Sequence, residues 1–156
     1  MTRAETLLVR ARAADTRLAT AESCTGGLLA GAITAVPGSS DILDRGFVVY
    51  SNDAKREMLG VRAKTLATYG AVSEEVAHEM AEGAIERSRA TVAVSITGVA
   101  GPGGSDRKPE GRVCFGIAWA SRSVKTLTME FGALGRDAVR QLAVERALEL
   151  LIDAQS

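Results

Sequence analysis

A strongly β-prone segment that runs directly into a glycine-rich stretch limits the folds open to this chain more than any other part of it. Residues 91–96 (TVAVSI) are rich in β-branched side chains and predict a strand. The stretch that follows, TGVAGPGGSD at 97–106, has four glycines within seven positions and is incompatible with regular structure. A strand ending in such a loop predicts a sheet edge where backbone can closely approach a ligand.

Helical and strand patterns alternate along the rest of the chain. The spacing predicts an amphipathic first helix ending at 15–16 and further helices at 25–36, 52–59, from 73–75 onward, and 136–152. Besides 91–96, strands are predicted at 18–21, 46–50, 112–119 and 124–131, with Ser51 as a helix cap. Only a few residues around 121–123 separate the last two strands, which favours an antiparallel hairpin. We therefore predict one layered α/β domain over 1–156 with a mixed sheet. The last helix should bury Val139, Leu142, Ala143, Ala147, Leu150 and Leu151.

Charge and composition exclude several classes of function. Nineteen basic residues balance nineteen acidic ones, so no basic excess indicates a nucleic-acid partner. No apolar stretch approaches the roughly 20 residues that a membrane span needs. The N-terminus lacks a secretory pattern, so we expect a cytoplasmic protein. Two cysteines and one histidine form neither a disulfide framework nor a metal-ligand set, so no metal is expected.

Ser23 lies where the strand at 18–21 gives way to a helix. One interpretation is a helix-capping serine. The other is a nucleophile beside backbone N–H groups that can stabilise an oxyanion. This turn is not the Gly-x-Ser-x-Gly nucleophile elbow of the α/β-hydrolases, because Ala21 and Thr25 occupy the two glycine positions of that motif. The single histidine, His78, lies among acidic residues and is interpreted as a surface side chain, which disfavours a histidine base.

A lysine can replace histidine as the base if burial lowers its pKa. Lys55 follows Tyr50 by five residues, at the start of a predicted helix. Judged by local sequence, Lys55 is typical of a solvated surface cation. Cys24 and Cys114 are interpreted as small buried residues rather than nucleophiles.

The glycine loop has neither the ending of a P-loop nor the context of a dinucleotide-binding turn. It is either a long turn without function or a backbone surface for a flat or anionic ligand. Arg136 lies near the start of the last helix, where a cation is unfavourable without an anionic partner. Either a substrate phosphate or an intramolecular carboxylate fits that need.

Taken together and in order, four segments closely resemble the CinA C-terminal domain family. They are TAESCTGG at 20–27, VYSNDAK at 49–55, GAVS at 70–73 and TGVAGPGG at 97–104. The resemblance extends from about residue 5 to 151. It implies a three-layer α/β/α domain that forms homo-oligomers, with a dimer favoured. It also implies hydrolysis of the carboxamide of nicotinamide mononucleotide to nicotinate mononucleotide and ammonia, a recycling step in pyridine-nucleotide metabolism, without a cofactor.

The same resemblance implies roles for individual residues. Ser23 would be the nucleophile and Lys55 its base, with Tyr50 and Thr97 orienting the proton path. Contacts to substrate are expected from Thr25, Gly26, Gly27, Gly98, Gly101, Gly103, Gly104 and Arg136. The segment at 105–109 is more charged than is common in the family. Two other hypotheses remain: a nucleotide-binding regulatory module without turnover, and a metal-dependent phosphohydrolase, which the shortage of carboxylates around the glycine loop disfavours.

Overall fold

A computed structural model describes residues 1–105, 107–121 and 123–155 of the chain. Within these ranges helices and strands alternate up to the second strand, after which three helices and then three strands follow one another before the last helix, and a short 3₁₀ turn lies at Ser39–Asp41. The helices are α1 (Arg3–Ala14), α2 (Leu28–Thr34), α3 (Asn52–Leu59), α4 (Ala63–Tyr69), α5 (Glu74–Glu86) and α6 (Arg136–Asp153). The strands are β1 (Leu18–Glu22), β2 (Leu43–Val48), β3 (Val92–Gly98), β4 (Arg112–Trp119) and β5 (Val124–Glu130).

The strands form one mixed sheet in the order β2-β1-β3-β4-β5. Strand β1 runs parallel to both of its neighbours, and β4 pairs antiparallel with β3 and with β5. The predicted α/β fold and its C-terminal antiparallel hairpin are therefore confirmed. Two predicted loop positions, Asp106 in the glycine loop and Arg122 in the hairpin turn, lie outside the described residues.

Helices cover both faces of the sheet. On one face, Val92, Val94 and Ile96 of β3 pack with α1, α2 and α6 in the main hydrophobic core. On the other face, Ala93 and the alanines of β1 pack with α3 and α5. The alternation follows from the period of two along a strand, and it produces the three layers that were expected. None of the helices in the described ranges has both the length and the apolar character for crossing a membrane.

Local signals account for most helix boundaries. Thr2 and Glu5 form a reciprocal capping box at the start of α1, and Asp15 ends that helix in the left-handed conformation. The Ser51 hydroxyl accepts from the Ala54 N–H at the start of α3, as predicted. Ser73 does the same for α5 by accepting from the Val76 N–H.

Two predicted boundaries were wrong. Helix α2 begins at Leu28 rather than Thr25, because Gly26 and Gly27 take φ values of +57° and +104° that interrupt helical geometry. Strand β2 begins at Leu43 and ends at Val48, since its pairing with β1 extends over that range. These shifts leave a tight turn after β1 and a short irregular segment after β2, and both contribute to the site described below.

Two further features were not predicted correctly. Helix α4 was missed because its start has no side-chain cap and is held instead by Glu79 of α5, which accepts from the Arg62 N–H and the Thr65 hydroxyl. Leu142 of α6, expected in the core, is 37% exposed. The α6 side chains that are buried lie at Val139, Ala143, Val144, Ala147, Leu148 and Leu151.

Candidate active site

The turn that follows β1 presents Ser23 at the carboxyl end of the parallel strands. The Ser23 N–H donates to the Ile96 carbonyl at 2.9 Å, which continues the pairing of β1 with β3 one residue past the strand. Ser23 is thereby held next to the start of the glycine loop, at the edge of the sheet where α/β proteins bind ligands.

A buried carboxylate holds this turn in shape. Glu22 accepts from the Thr25 hydroxyl at 2.6 Å and from the N–H groups of Leu29 and Ala30 at 2.9 and 3.0 Å. Gly27, which precedes α2, has no side chain that could accept from the free N–H groups at the helix start, and the Glu22 carboxylate takes that place. This role of Glu22 was not predicted, because the only signal in the sequence was an acidic residue just before a helix start.

Lys55 of α3 is the buried base candidate. Only 1% of it is exposed, so the surface position suggested by local sequence was wrong. Its Nζ lies 3.0 Å from Ser23 Oγ and donates to the carbonyls of Val49 and Tyr50, each at 3.1 Å. Within the described residues, no carboxylate forms an ion pair with this amine. Burial lowers the pKa of Lys55 from 10.5 to about 8.

The two carbonyls give the amine a definite orientation. As an ammonium, Lys55 has three protons for three acceptors: the two carbonyls and Ser23 Oγ. As a neutral amine, it keeps both carbonyl bonds, and its lone pair is left to face Ser23 Oγ. General-base catalysis requires the base nitrogen to lie about 2.6–3.2 Å from the oxygen whose proton it removes. The distance of 3.0 Å between Lys55 Nζ and Ser23 Oγ meets this requirement.

Thr97 and Tyr50 flank the serine–lysine pair in different ways. The Thr97 hydroxyl donates to the Ala71 carbonyl at 2.8 Å, so its oxygen remains free to accept. Tyr50 is 65% exposed, and its contact with Lys55 is made by the backbone carbonyl. The structure therefore brings Ser23, Tyr50, Lys55 and Thr97 to one cleft.

The cleft has a volume of about 300 Å³ and is walled by the glycine loop. Gly98, Gly101, Gly103, Gly104 and Arg136 line it together with the four residues above. Asn52, at the first position of α3, also lines the cleft and was missed because nothing in the local pattern marks it. The expected substrate-contact residues of the loop and of α6 thus share one cavity with Ser23.

Thr25, Gly26 and Gly27 are not brought to the cleft lining. The Thr25 hydroxyl is bound to Glu22, and the Gly26 N–H donates to the Ser23 carbonyl at 3.1 Å. Gly27 starts α2 and packs near Val48. These three residues thus lie in the turn between Ser23 and α2, outside the cleft lining, and their contact with substrate stays a prediction.

The remaining candidates behave as buried or peripheral groups. Cys24 lines the cleft, and burial raises the pKa of its thiol to about 11, so it is a poor nucleophile at neutral pH. Cys114 lies buried in β4, as expected. His78 lies on α5 in a separate open depression with Glu74, Glu75 and Glu79. In the parts of the chain that the structure describes, no group of three His, Cys, Asp or Glu side chains is placed to hold a metal ion.

The fold and the site define a three-layer α/β protein with a buried serine–lysine pair in an open cleft. The chain belongs to the CinA C-terminal domain family, whose sequence model matches residues 1–155.

Known relatives agree with this assignment. Nicotinamide-nucleotide amidohydrolase PncC of Escherichia coli K12 is 52% identical over 141 residues, which are 90% of this chain and 85% of that protein. A CinA-like protein of Chlorobium phaeobacteroides BS1 is 63% identical over 102 residues, which are 65% of this chain but 24% of that protein. The chain therefore spans about a quarter of that longer relative. The crystal structure of the competence/damage inducible protein CihA from Agrobacterium tumefaciens superposes on this chain with a TM-score of 0.95, covering 99% of this chain and 94% of CihA. The two sequences are 48% identical.

Proposed function

We propose that this chain is a nicotinamide-nucleotide amidohydrolase that converts nicotinamide mononucleotide to nicotinate mononucleotide and ammonia. The observation that carries the proposal is the 3.0 Å contact between Ser23 Oγ and a buried lysine amine without a carboxylate partner among the described residues. The PncC relative from Escherichia coli, of which this chain covers 85%, bears the name of this activity. The reaction would recycle pyridine nucleotides.

The first half of the reaction forms an acyl-enzyme. Neutral Lys55 takes the proton of Ser23, and Oγ bonds to the carboxamide carbon. The carbonyl oxygen becomes an oxyanion. Protonated Lys55 then gives its proton to the amide nitrogen, the C–N bond breaks, and ammonia leaves. The lowered pKa of Lys55 supports both roles, because a group with a pKa of about 8 exchanges protons readily near neutral pH.

The second half returns the enzyme to its starting state. A water molecule loses a proton to Lys55 and attacks the acyl carbon, and the Ser23 oxygen leaves and recovers that proton. The product is released as the carboxylic acid form of nicotinate mononucleotide, which then loses its proton in solution. No redox change occurs and no cofactor is consumed in this scheme.

The surrounding residues supply binding and orientation. The oxyanion would be met by the backbone N–H of Cys24, which lines the cleft next to Ser23, whereas the glycine loop would lie against the ribose phosphate or the pyridine ring. An oxyanion donor of this kind is worth about 2.7–4 kcal/mol in comparable sites. Thr97 would accept from the substrate amide, since its own proton is engaged by Ala71. The exposed Tyr50 ring would cover the pyridine ring, and Arg136 would bind the phosphate.

The test is ammonia release from nicotinamide mononucleotide in the presence of a chelator. Wild type should turn over, whereas Ser23→Ala and Lys55→Ala should lose about 10²–10⁴-fold or more in kcat. Ser40→Ala and Lys64→Ala alter exposed residues of the same types away from the cleft and should retain full activity. Acid quenching of wild type should trap a nicotinate mononucleotide adduct on the peptide that contains Ser23.

Three results would refute the proposal. Full activity in Ser23→Ala would exclude the serine nucleophile. Tight binding of nicotinamide mononucleotide by folded wild type without ammonia release would instead favour the nucleotide-binding module. Activity lost on chelation and restored by a divalent metal would favour the phosphohydrolase hypothesis.

A further inference from the structure

A carboxylate outside the cleft lining joins the two segments that form one wall of the cleft. Glu110 lies just before β4. Its Oε1 accepts from the Gly103 N–H at 2.6 Å, and its Oε2 accepts from the Gly135 N–H at 3.1 Å. Gly103 belongs to the glycine loop and Gly135 immediately precedes α6. The Glu110 side chain thus connects two residues that are 32 positions apart in the sequence.

Each of the two bonds fixes a segment that lines the cavity. Gly103 and Gly104 form part of the loop wall, and Arg136 follows Gly135 directly. The residue preceding α6 is a glycine without a side-chain cap, so the Glu110 carboxylate supplies an acceptor and a negative charge at that helix start. The positions of the loop and of Arg136 are therefore set by the same group.

The loop also packs directly on this carboxyl group. A Cβ added to Gly101 would collide with the Glu110 side chain, and Gly101 has a φ of +91°. The closeness of Gly101 shows that the loop backbone lies against the Glu110 side chain rather than merely near it. This contact restricts how far the loop can move toward or away from the cleft.

The backbone around Glu110 is anchored to the sheet. The Gly111 N–H donates to the Val99 carbonyl, and the Gly111 carbonyl accepts from the Phe131 N–H, both at 2.8 Å. These bonds extend the β3–β4–β5 ladder by one step at the base of the loop. Because the backbone next to Glu110 is anchored in this way, its carboxylate can hold the two N–H partners in fixed positions.

We propose that Glu110 is a positioning residue for substrate binding, which sets the spacing between the glycine loop and Arg136. The proposal rests on the proposed amidohydrolase function and deepens it. Glu110 has no hydrogen bond to Ser23 or Lys55, whose partners are other groups. Its loss should therefore weaken substrate binding much more than the chemical step.

The test compares Glu110→Gln and Glu110→Ala with wild type. Glutamine keeps the size but has one acceptor oxygen, so one of the two N–H groups loses its partner. The KM for nicotinamide mononucleotide should rise about tenfold in Glu110→Gln and further in Glu110→Ala, with kcat within about twofold of wild type. Glu130→Gln, which removes an exposed charge on β5 that pairs with Arg112 of β4, is the matched control and should leave both constants unchanged.

An unchanged KM in both Glu110 variants would overturn the proposal, and so would an equal loss in kcat and kcat/KM. A purely structural role would lower the urea midpoint without separating KM from kcat. Reduced stability with unchanged KM therefore also counts against positioning.

Amide hydrogen exchange keeps this result separate from the fate of the proposed function. In Glu110→Gln, exchange at 101–105 and at 135–137 should accelerate, while exchange in β3 stays as in wild type. If wild type releases no ammonia, the amidohydrolase proposal fails, and Glu110 is judged by exchange and by calorimetric binding of nicotinamide mononucleotide. Unchanged exchange at both segments would overturn the positioning role whatever the activity.

Discussion

Replacing Lys55 by methionine should abolish activity and yet stabilise the fold at neutral pH. Methionine is unbranched and of similar length, so it can occupy the buried volume without a charge. The pKa of Lys55 falls from 10.5 to about 8 because of burial. At about 1.36 kcal/mol per pKa unit, the folded state of wild type carries a penalty of about 3 kcal/mol while the amine is protonated.

The direction of the pH dependence follows from the same pKa change. Below pH 8, both the folded and the unfolded chain hold the proton, and the full penalty is present. Between about 8 and 10.5, the unfolded chain holds the proton and the folded chain releases it, so wild-type stability rises with pH. Methionine also leaves the Val49 and Tyr50 carbonyls without the lysine donor, at a cost of about 1 kcal/mol each.

The variant should therefore be more stable than wild type by about 1 kcal/mol at pH 7 and less stable by about 2 kcal/mol near pH 10.5. Urea unfolding at constant ionic strength from pH 7 to 10.5 measures this difference. Buried Cys24, whose pKa is raised to about 11 chiefly by burial, also titrates with folding in both proteins, and only its charge interaction with Lys55, the smallest of the causes, differs between them. Lys64→Met, at an exposed position of α4, is the control and should show no such crossover.

A stability difference between Lys55→Met and wild type that stays constant from pH 7 to 10.5 would refute the reasoning. It would mean that the folded and unfolded chains bind the lysine proton equally well. The assignment of Lys55 as a base near neutral pH would then lose its physical foundation.

Three further predictions concern the same structure. The kcat/KM for ammonia release should rise about tenfold per pH unit below 8 and level off above it, because the neutral amine of Lys55 is the base; a flat profile from pH 6 to 9 would contradict this. Gly31→Ala should raise the free energy of unfolding, measured in urea, by about 0.5–1 kcal/mol, since a Cβ there meets no atom. Gly83→Ala should instead lower stability by about 1–3 kcal/mol or more, because its Cβ would overlap the Leu59 carbonyl, and equal effects at the two glycines would be inconsistent with this packing. Cys24 should resist alkylation in native protein at pH 8 and react in urea, as mass spectrometry of the peptide would show, because burial raises its pKa to about 11.

Elements with local signals were predictable from the sequence. The β-branched segment of β3, the serine caps of α3 and α5, and the short connection between β4 and β5 depend on neighbours in the chain. Helix α4 could not be found in this way, since its start is capped by Glu79, a residue 17 positions from Arg62. The exposure of Leu142 likewise depends on how α6 rotates against the sheet rather than on its own pattern.

The site shows the same division. The motif residues Ser23, Tyr50, Lys55 and Thr97 could be named from the sequence, but local patterning placed Lys55 on the surface. Burial of this lysine requires the turn after β1 and the segment after β2 to meet above it, and both are ends of adjacent parallel strands. The positions of Thr25, Gly26 and Gly27 outside the cleft lining could not be read from the sequence, because they depend on the bonds of the Glu22 carboxylate to Thr25 and to the start of α2.

The sequence by itself determined the alternating α/β order, the hairpin and the set of residue types available for chemistry, because these depend on propensity and spacing along the chain. Only the tertiary structure decided which side chains meet, which are desolvated and which hydrogen-bond partners remain. The pKa of Lys55 is the clearest example, since it is lowered because packing in the folded chain removes water from the amine.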